Sequence, residues 1–457
     1  MAYQTVNPAT GELVKTFESH SDAQVKAALD TAHAVYKSAW SKGPRARRLE
    51  VLGKIADEIE RRNEEIARII VQEMGKRITE ARFEVRITGE IARYYAENAG
   101  KFLAPEKVAT THGDAWLEYH PIGVVVAVEP WNFPFYQLVR VLGPNMAVGN
   151  PVLAKHSSIV PQAALAFEEL VLSGGAPKGA WTNLFATGDQ IASLIADYRV
   201  QGVALTGSEG AGSIVASHAG KNLKKSLMEL GGADVFVVLE DADIDKAVAA
   251  GVEARLRGCG QVCNGAKRFV VHKDVAEAFL KKFTEGFAAA KIGDPMDETV
   301  TLGPLSSASA RDEIAGQVER AVKAGAKLHF GGAKVDGPGA FYQPTILTNI
   351  KRENPAYYEE FFGPVAQIYV VSNDDEVINL ANDSHFGLSG AIFTKNIARG
   401  KQLAAQMETG SVWINTSSST APELPFGGVK RSGYGRELSN AGIKELVNQK
   451  MILVANT

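Results

Sequence analysis

The chain has 457 residues, 45% apolar and 22% charged, with a formal net charge of −3. This length exceeds one hydrophobic core and implies two or three domains. A near-neutral balance with no basic block excludes nucleic acid and anionic membrane as partners. Two cysteines are too few for a disulfide framework or a cysteine-rich zinc site, so no metal is expected and a reducing, cytoplasmic setting is. The N-terminus has no basic segment followed by an apolar stretch of the kind a secretory leader carries.

In chain order, Asn7-Pro8-Ala9-Thr10-Gly11-Glu12 predicts a turn between short strands. Helices follow from Ala23, with Leu49, Leu52, Ile55 and Ile59, then Ile66, Ile69 and Ile70, at helical spacing, and another from Glu80 to about Phe102. Trp116 to His120 alternates like an exposed strand, and Ile122 to Val128 is the continuous apolar run of a buried parallel strand. Short strands then alternate with helices through Val152–Ala154, Pro161–Leu172, Asn183–Phe185, a helix from Gln190, and Gly202–Leu205. This rhythm predicts an α/β fold with a doubly wound, Rossmann-like sheet that binds a nucleotide at its strand C-terminal ends.

Leu205-Thr206-Gly207-Ser208-Glu209-Gly210-Ala211-Gly212 stands where a strand hands over to a helix, a place that favours phosphate. Its spacing is not the Gly-x-Gly-x-x-Gly fingerprint, and a plain N-cap at Ser208 explains it equally. Met228-Glu229-Leu230-Gly231-Gly232 ends another apolar stretch, so Glu229 reads either as a buried general base or as a solvated turn carboxylate. A helix after Asp241 leads to Gly258-Cys259-Gly260-Gln261-Val262-Cys263. A thiolate is the strongest common nucleophile near neutral pH, and this glycine-rich loop after a helix can expose one at Cys263. A second α/β unit follows, with strands at Arg268–Val271, Gln367–Val371, Ala391–Thr394 and Val412–Asn415. Its helices fall at Val275–Ala290, Ala310–Ala324 and Asp375–Ala381. The tail, Lys450 to Ala455, is an apolar strand with no partner in its neighbourhood, which a second subunit would cover.

Pro130-Trp131-Asn132-Phe133-Pro134, Glu229-Leu230-Gly231-Gly232, Gly260-Gln261-Val262-Cys263, Glu360-Phe361-Phe362-Gly363-Pro364-Val365 and Pro425-Phe426-Gly427-Gly428-Val429-Lys430 stand in the order seen in aldehyde dehydrogenases. The chain resembles that superfamily over nearly its whole length, and succinate-semialdehyde dehydrogenases most. The resemblance implies three parts: a cofactor domain from 1–102 and 122–231, a catalytic domain from 232–436, and a small β oligomerisation element from 103–121 and 437–457. A homodimer or homotetramer follows from it. It further implies Cys263 as nucleophile, Asn132 with the Cys263 backbone N–H as oxyanion donors, and Glu229 as the base that hydrolyses the thioester. Glu229 also argues against the branch that passes the acyl group to coenzyme A. The cofactor contacts implied are Trp131, Lys155, Ser157, Ser158, Gly207, Ser208, the Leu230 carbonyl, Glu360 on the nicotinamide ribose, and Phe362 beside the ring.

Two departures refine this expectation. Where NAD-using relatives commonly read Lys-Pro-x-Glu, this chain reads Lys155-His156-Ser157-Ser158. Ser158 does not repel a 2′-phosphate and Lys155 can pair with it, so NADP is expected in preference to NAD. Arg140, eight residues after Asn132, and Arg257, six before Cys263, match places where succinate-semialdehyde dehydrogenases grip the far carboxylate, although either alone could be a structural ion pair. The substrate expected is a short aldehyde with a distal carboxylate, succinate semialdehyde first. Glutarate semialdehyde and a broad aldehyde range are the alternatives. A family serine before Pro-Phe-Gly-Gly has only Ser419 or Thr420 to stand for it. Cys259 reads as a packing residue or, less readily, as a disulfide partner of Cys263. A non-catalytic structural relative has no need of Cys263, Glu229 and Asn132 together; failure of an aldehyde-reactive probe to label Cys263 would favour it.

Overall fold

The computed structural model describes residues 3–456. Six strands form one sheet, in the order Gly433–Tyr434, Lys225–Glu229, Val200–Thr206, Val124–Glu129, Val152–His156, Trp181–Asn183. All run parallel except Gly433–Tyr434, which returns from far along the chain to pair against Met228 and Glu229. Val124 and Val126 pack into one core cluster, Val125 and Ala127 into another. Both faces of this central strand are therefore covered, which is why it reads as an unbroken apolar run. From Trp181–Asn183 the chain crosses to the other side of the central strand to lay down Val200–Thr206. That reversal opens a crevice above the C-terminal ends of the strands, the usual ligand position in such sheets.

The expected α/β alternation is present, with shifted bounds at Trp181–Asn183 and a longer Val200–Thr206. Four N-terminal helices, Asp22–Lys37, Ala46–Arg61, Asn63–Met74 and Ile78–Phe102, bury Leu52, Ile55, Ile59, Ile66 and Ile70 against this sheet's own helices. A seven-stranded sheet follows: Lys327–Phe330, Thr345–Thr348, Val365–Val371, Arg268–His272, Val235–Val238, Ser389–Phe393, Ser411–Ile414. Only Lys327–Phe330 is antiparallel in it. Val235–Val238, which the sequence reading passed over, sits near its centre.

The tail strand is longer than expected, Val447–Ala455, and it does have a partner within the chain. It pairs along its whole length with Gly113–Pro121, Val447 opposite Pro121 and Ala455 opposite Gly113. The partner lies outside the tail's own neighbourhood and is the strand near Trp116 with which the resemblance grouped it; the other edge of Val447–Ala455 ends the sheet, and Met451, Ile452, Leu453 and Val454 are exposed on this strand. Among the described residues no helix is long and apolar enough to cross a membrane.

Candidate active site

The helix Ile244–Leu256 ends in a tight turn, Arg257–Gly260. Gly258, Cys259 and Gly260 take positive φ of 57°, 55° and 72° in succession. A Cβ on Gly260 would lie 2.1 Å from the Gly363 carbonyl oxygen, so no larger residue fits there. The turn delivers Cys263 to a cavity wall while Cys259 stays buried, with its thiol pushed up by burial. Buried polar groups hold the loop. Gln261 donates to the Gly258 carbonyl (3.0 Å) and accepts from the Ser306 N–H (2.9 Å). The Lys267 ammonium donates to the carbonyls of Val262 (2.8 Å) and Cys263 (2.5 Å) and pairs with Glu360 Oε1 at 2.9 Å.

Asn132 faces this loop. Its Nδ2 donates to the Gln261 carbonyl (2.9 Å) and its Oδ1 accepts from Gln137 Nε2 (2.8 Å). Gln137 thereby fixes which way the amide points, and one Asn132 N–H is left over to stabilise a developing oxyanion. The segment carrying Asn132 is anchored by Glu84, whose Oε1 accepts the N–H groups of Phe135 (2.9 Å) and Tyr136 (3.3 Å) and whose other oxygen pairs with buried Lys76.

Glu229 is not a solvated turn residue: it is 1% exposed, and among the described residues neither carboxylate oxygen has a hydrogen-bond partner. Burial first, then the neighbouring Glu437, hold its carboxyl well above the usual range, while Arg140 pulls the other way. A Cβ on Gly427 would come 2.6 Å from Glu229 Oε1, which accounts for a glycine in Pro425-Phe426-Gly427-Gly428. Burial also pushes the Cys263 thiol up to about 11, against the pull of Lys267 and Arg140. Burial thus opposes charge on both groups, and attack requires that the thiol lose its proton.

In the crevice, Ser208 Oγ caps the helix Glu209–Lys221 by accepting the Ala211 N–H (3.3 Å), next to Gly207. The Lys155 ammonium donates only to the His156 carbonyl (3.3 Å) and, among the described residues, meets no carboxylate. His156 is a bystander: its Nε2 donates to the Pro134 carbonyl (2.9 Å), and burial lowers its pKa to about 4. Ser157 and Ser158 are half-buried beside it. Leu230 follows Glu229 directly, Glu360 accepts the Gly232 N–H (3.1 Å), and Trp131 and Phe362 meet edge-on with centroids 5.8 Å apart. A Cβ on Gly231 would fall 2.2 Å from Glu360 Oε2, so a side chain there would displace that carboxylate. A half-buried cation that, among the described residues, meets no carboxylate, and a separate glycine-flanked helix start at Ser208, each suit a phosphate-bearing dinucleotide.

A cavity of about 410 Å³ opens on Cys263, with Arg140, Arg257, Tyr136, Ser419, Thr420 and Phe426 in its wall. Both residues suggested in place of the family serine are thus present, Thr420 Oγ1 being 2.7 Å from the Tyr136 hydroxyl. The two arginines differ. Arg257 is loosely held, its Nη1 3.7 Å from Glu253 and its Nη2 3.5 Å from the Ser418 carbonyl, and its buried Nε has no acceptor. Arg140 lines the cavity too but has the ion pair that the sequence left open for either arginine. Its guanidinium lies between the rings of Tyr136 (4.7 Å) and Phe426 (4.9 Å), with Nε 2.7 Å from Glu437 Oε2.

Glu437, Lys267, Glu84 and Gln137 escaped the sequence reading. Lys267 had a signal, a lysine at the mouth of the apolar strand Arg268–His272, which only a buried pairing tolerates. Glu437 had none, since Arg436-Glu437-Leu438-Ser439 reads as ordinary surface.

The model of the family described as "Aldehyde dehydrogenase family" matches residues 1–452. The chain is 45% identical over 450 residues to a Deinococcus radiodurans protein named as a succinate-semialdehyde dehydrogenase (NADP(+)), covering 98% of this chain and 94% of that one. It is 43% identical over 462 residues to a Mycolicibacterium paratuberculosis protein of the same name, covering 100% and 98%. Among solved structures, succinic semialdehyde dehydrogenase from Streptococcus pyogenes in complex with NADP+ is similar at 46% identity and a TM-score of 0.98, with both chains covered in full. Betaine aldehyde dehydrogenase from Staphylococcus aureus in complex with NAD+ is similar at 28% identity and a TM-score of 0.96, covering 99% of this chain and 92% of that one.

Proposed function

The chain belongs to the aldehyde dehydrogenase family, and on that premise we propose that it oxidises succinate semialdehyde to succinate, using NADP in preference to NAD. Cys263 adds to the aldehyde carbon, its proton passing through water to solvent, and the oxyanion meets the spare Asn132 N–H and the Cys263 backbone N–H; Glu229 gives up its own proton only before the hydrolytic step. The bound cofactor supplies the hydride acceptor, so the carbon reaches the acid oxidation level as a Cys263 thioester. Glu229 then takes a proton from water, which attacks the thioester and frees the acid and the thiol. Aldehyde, water and NADP+ thus become acid, NADPH and a proton. Trp131, Lys155, Ser157, Ser158, Gly207, Ser208, Leu230, Glu360 and Phe362 hold the dinucleotide in this reading, with Lys155 and Ser158 on the 2′-phosphate.

The observation that carries the substrate class is Arg257, a loosely held guanidinium on the cavity wall with a buried, unpaired Nε. A carboxylate at the far end of a short aldehyde would satisfy it. The domain division set out above, 1–102 with 122–231, 232–436, and 103–121 with 437–457, goes with this reading. So does a homodimer or homotetramer that covers the exposed edge of Val447–Ala455. Two unpaired thiols suit a cytoplasmic location.

Steady-state oxidation of succinate semialdehyde, glutarate semialdehyde and propanal, each with NADP and NAD, tests the proposal. The expected result is the highest kcat/KM for succinate semialdehyde with NADP. Propanal equal to or above it would overturn the substrate assignment, and NAD equal to or above NADP the cofactor assignment.

A further inference from the structure

The Cys263 backbone N–H belongs to the peptide unit whose carbonyl is that of Val262. A trans peptide is planar, with its C=O and N–H pointing in opposite directions. Whatever fixes the Val262 carbonyl therefore aims the Cys263 N–H. Among the described residues that N–H has no acceptor, so it is free for an incoming oxygen. The Val262 carbonyl accepts twice, from the Gly265 N–H at 3.1 Å and from the Lys267 ammonium at 2.8 Å. Lys267 spends its other donors on the Cys263 carbonyl and on Glu360 Oε1, 2.9 Å away. An ammonium has three N–H donors and no acceptor, so these three partners use it completely. The Lys267 side chain is 2% exposed, and its own N–H is fixed on the Asp234 carbonyl at 3.0 Å.

We propose that Lys267 is a positioning residue of the oxyanion hole: through the Val262 carbonyl it aims the Cys263 N–H and strengthens it as a donor. This rests on the reading of Cys263 as nucleophile and of its N–H as an oxyanion donor. A charge-assisted hydrogen bond is about twice as strong as a neutral one, so of the two donors on the Val262 carbonyl the ammonium is the firmer. In a buried site such bonds polarise one another: drawing electrons toward the carbonyl oxygen leaves the N–H of the same peptide more positive. Glu360 supplies the counter-charge that a buried ammonium needs. The two oxyanion donors are thus set by separate groups, Asn132 by Gln137 and the Gln261 carbonyl, the Cys263 N–H by Lys267. Lys267 touches none of the reacting atoms and acts through one peptide.

The test is the carbonyl stretch of the thioester that Glu229→Gln accumulates on Cys263, read by isotope-edited infrared spectroscopy with succinate semialdehyde carrying a labelled aldehyde carbon. Sulfur is acylated in this state, so the band reads the donors on oxygen and not the thiol. Strong donors lower the stretch. Lys267→Met in the Glu229→Gln background should raise it, and Lys267→Gln, which keeps a donor without the charge, should raise it by less. First-turnover NADPH formation at saturating aldehyde and cofactor should fall about tenfold in Lys267→Met, short of the about 10²–10³-fold cost of losing a donor outright, with half-saturation in aldehyde unchanged. A band that Asn132→Ala raises but Lys267→Met leaves in place overturns the proposal alone. A band that neither variant moves refutes the oxyanion-hole reading, and absence of any thioester in Glu229→Gln refutes the base reading; the proposal falls with either. Should Lys267→Met fail to fold, Lys267→Gln decides, and an unmoved band overturns the proposal.

Discussion

Replacing Arg257 with glutamine removes the charge but keeps a polar side chain at the cavity wall. A hydrogen bond to a charged group is worth about 1.5–3 kcal/mol. The Arg257 side chain is 23% exposed, and Glu253 lies 3.7 Å away, so solvent screening places the loss in the lower half, about 1.5–2 kcal/mol. At about 1.4 kcal/mol per decade this is a rise of roughly 10–30-fold in KM for succinate semialdehyde. Nothing in Arg257 touches the reacting carbon, so kcat should change little, and propanal, which has no distal charge, should be oxidised as before. Added salt should narrow the gap between wild type and variant, because the carboxylate–guanidinium attraction is screened. Steady-state kinetics at two ionic strengths with both aldehydes read all three outcomes. An equal loss on propanal would show that Arg257 only supports the turn Arg257–Gly260, and the substrate argument would fall with it.

Three further outcomes are expected. Ser158→Glu places a carboxylate where the 2′-phosphate is proposed to sit, so kcat/KM with NADP should fall at least about tenfold while NAD is spared, as measured with both cofactors; equal losses would refute the contact. Glu229→Gln should still release one NADPH per site in a rapid burst and then nearly stop with Cys263 acylated; full turnover without a burst would remove Glu229 from hydrolysis. Burial raises the Asp234 carboxyl to about 7, against the pull of Lys267. The native chain therefore keeps a proton there that the unfolded chain gives up above its ordinary value near 3.8. Its contribution to stability is complete below that value and is lost as pH rises through about 7. Asp234→Asn should accordingly narrow the difference in melting temperature between pH 5 and pH 8, and an unchanged difference would refute the assignment.

The parts that were legible in the sequence share a local cause. The strand Val124–Glu129 announces itself because both faces are buried, so every residue from Val124 to Ala127 is apolar. The Cys263 loop announces itself because three consecutive positive φ values and the approach of Gly363 leave little choice but glycine around Cys259. What stayed hidden depends on groups brought together from separate elements. Arg140 and Glu437 are far apart in the chain, and neither carries a mark of the other, so an ion pair could be allowed for but its partner not named. Gln137 lies only five residues from Asn132, but its role is visible only once the helix Tyr136–Val148 turns it back onto the amide. The tail strand likewise has no partner in its own stretch of chain; Gly113–Pro121 comes to it from far upstream, and only the family resemblance grouped the two.

Glu229 is among the groups that raise the Cys263 thiol, and a negative charge on sulfur must by the same Coulomb law oppose one on the carboxylate. The pair therefore holds one charge more easily than two. While the thiolate exists, Glu229 is best kept protonated; once sulfur is bound in a neutral thioester, that opposition is gone and the carboxyl can release its proton and act on water. The charge moves from sulfur to carboxylate in the order the reaction needs, with no rearrangement of the fold. A neutral adduct on Cys263 reproduces the second state. Alkylation with iodoacetamide, which leaves a neutral adduct, should give Glu229 a lower pKa than alkylation with iodoacetate, which leaves a fixed carboxylate on Cys263. Infrared titration of the protonated carboxyl band, assigned by its loss in Glu229→Gln, measures it. If the band titrates identically in the two states, the carboxyl and the thiol are not coupled, and the base would have to be poised by Glu437 and Arg140 alone.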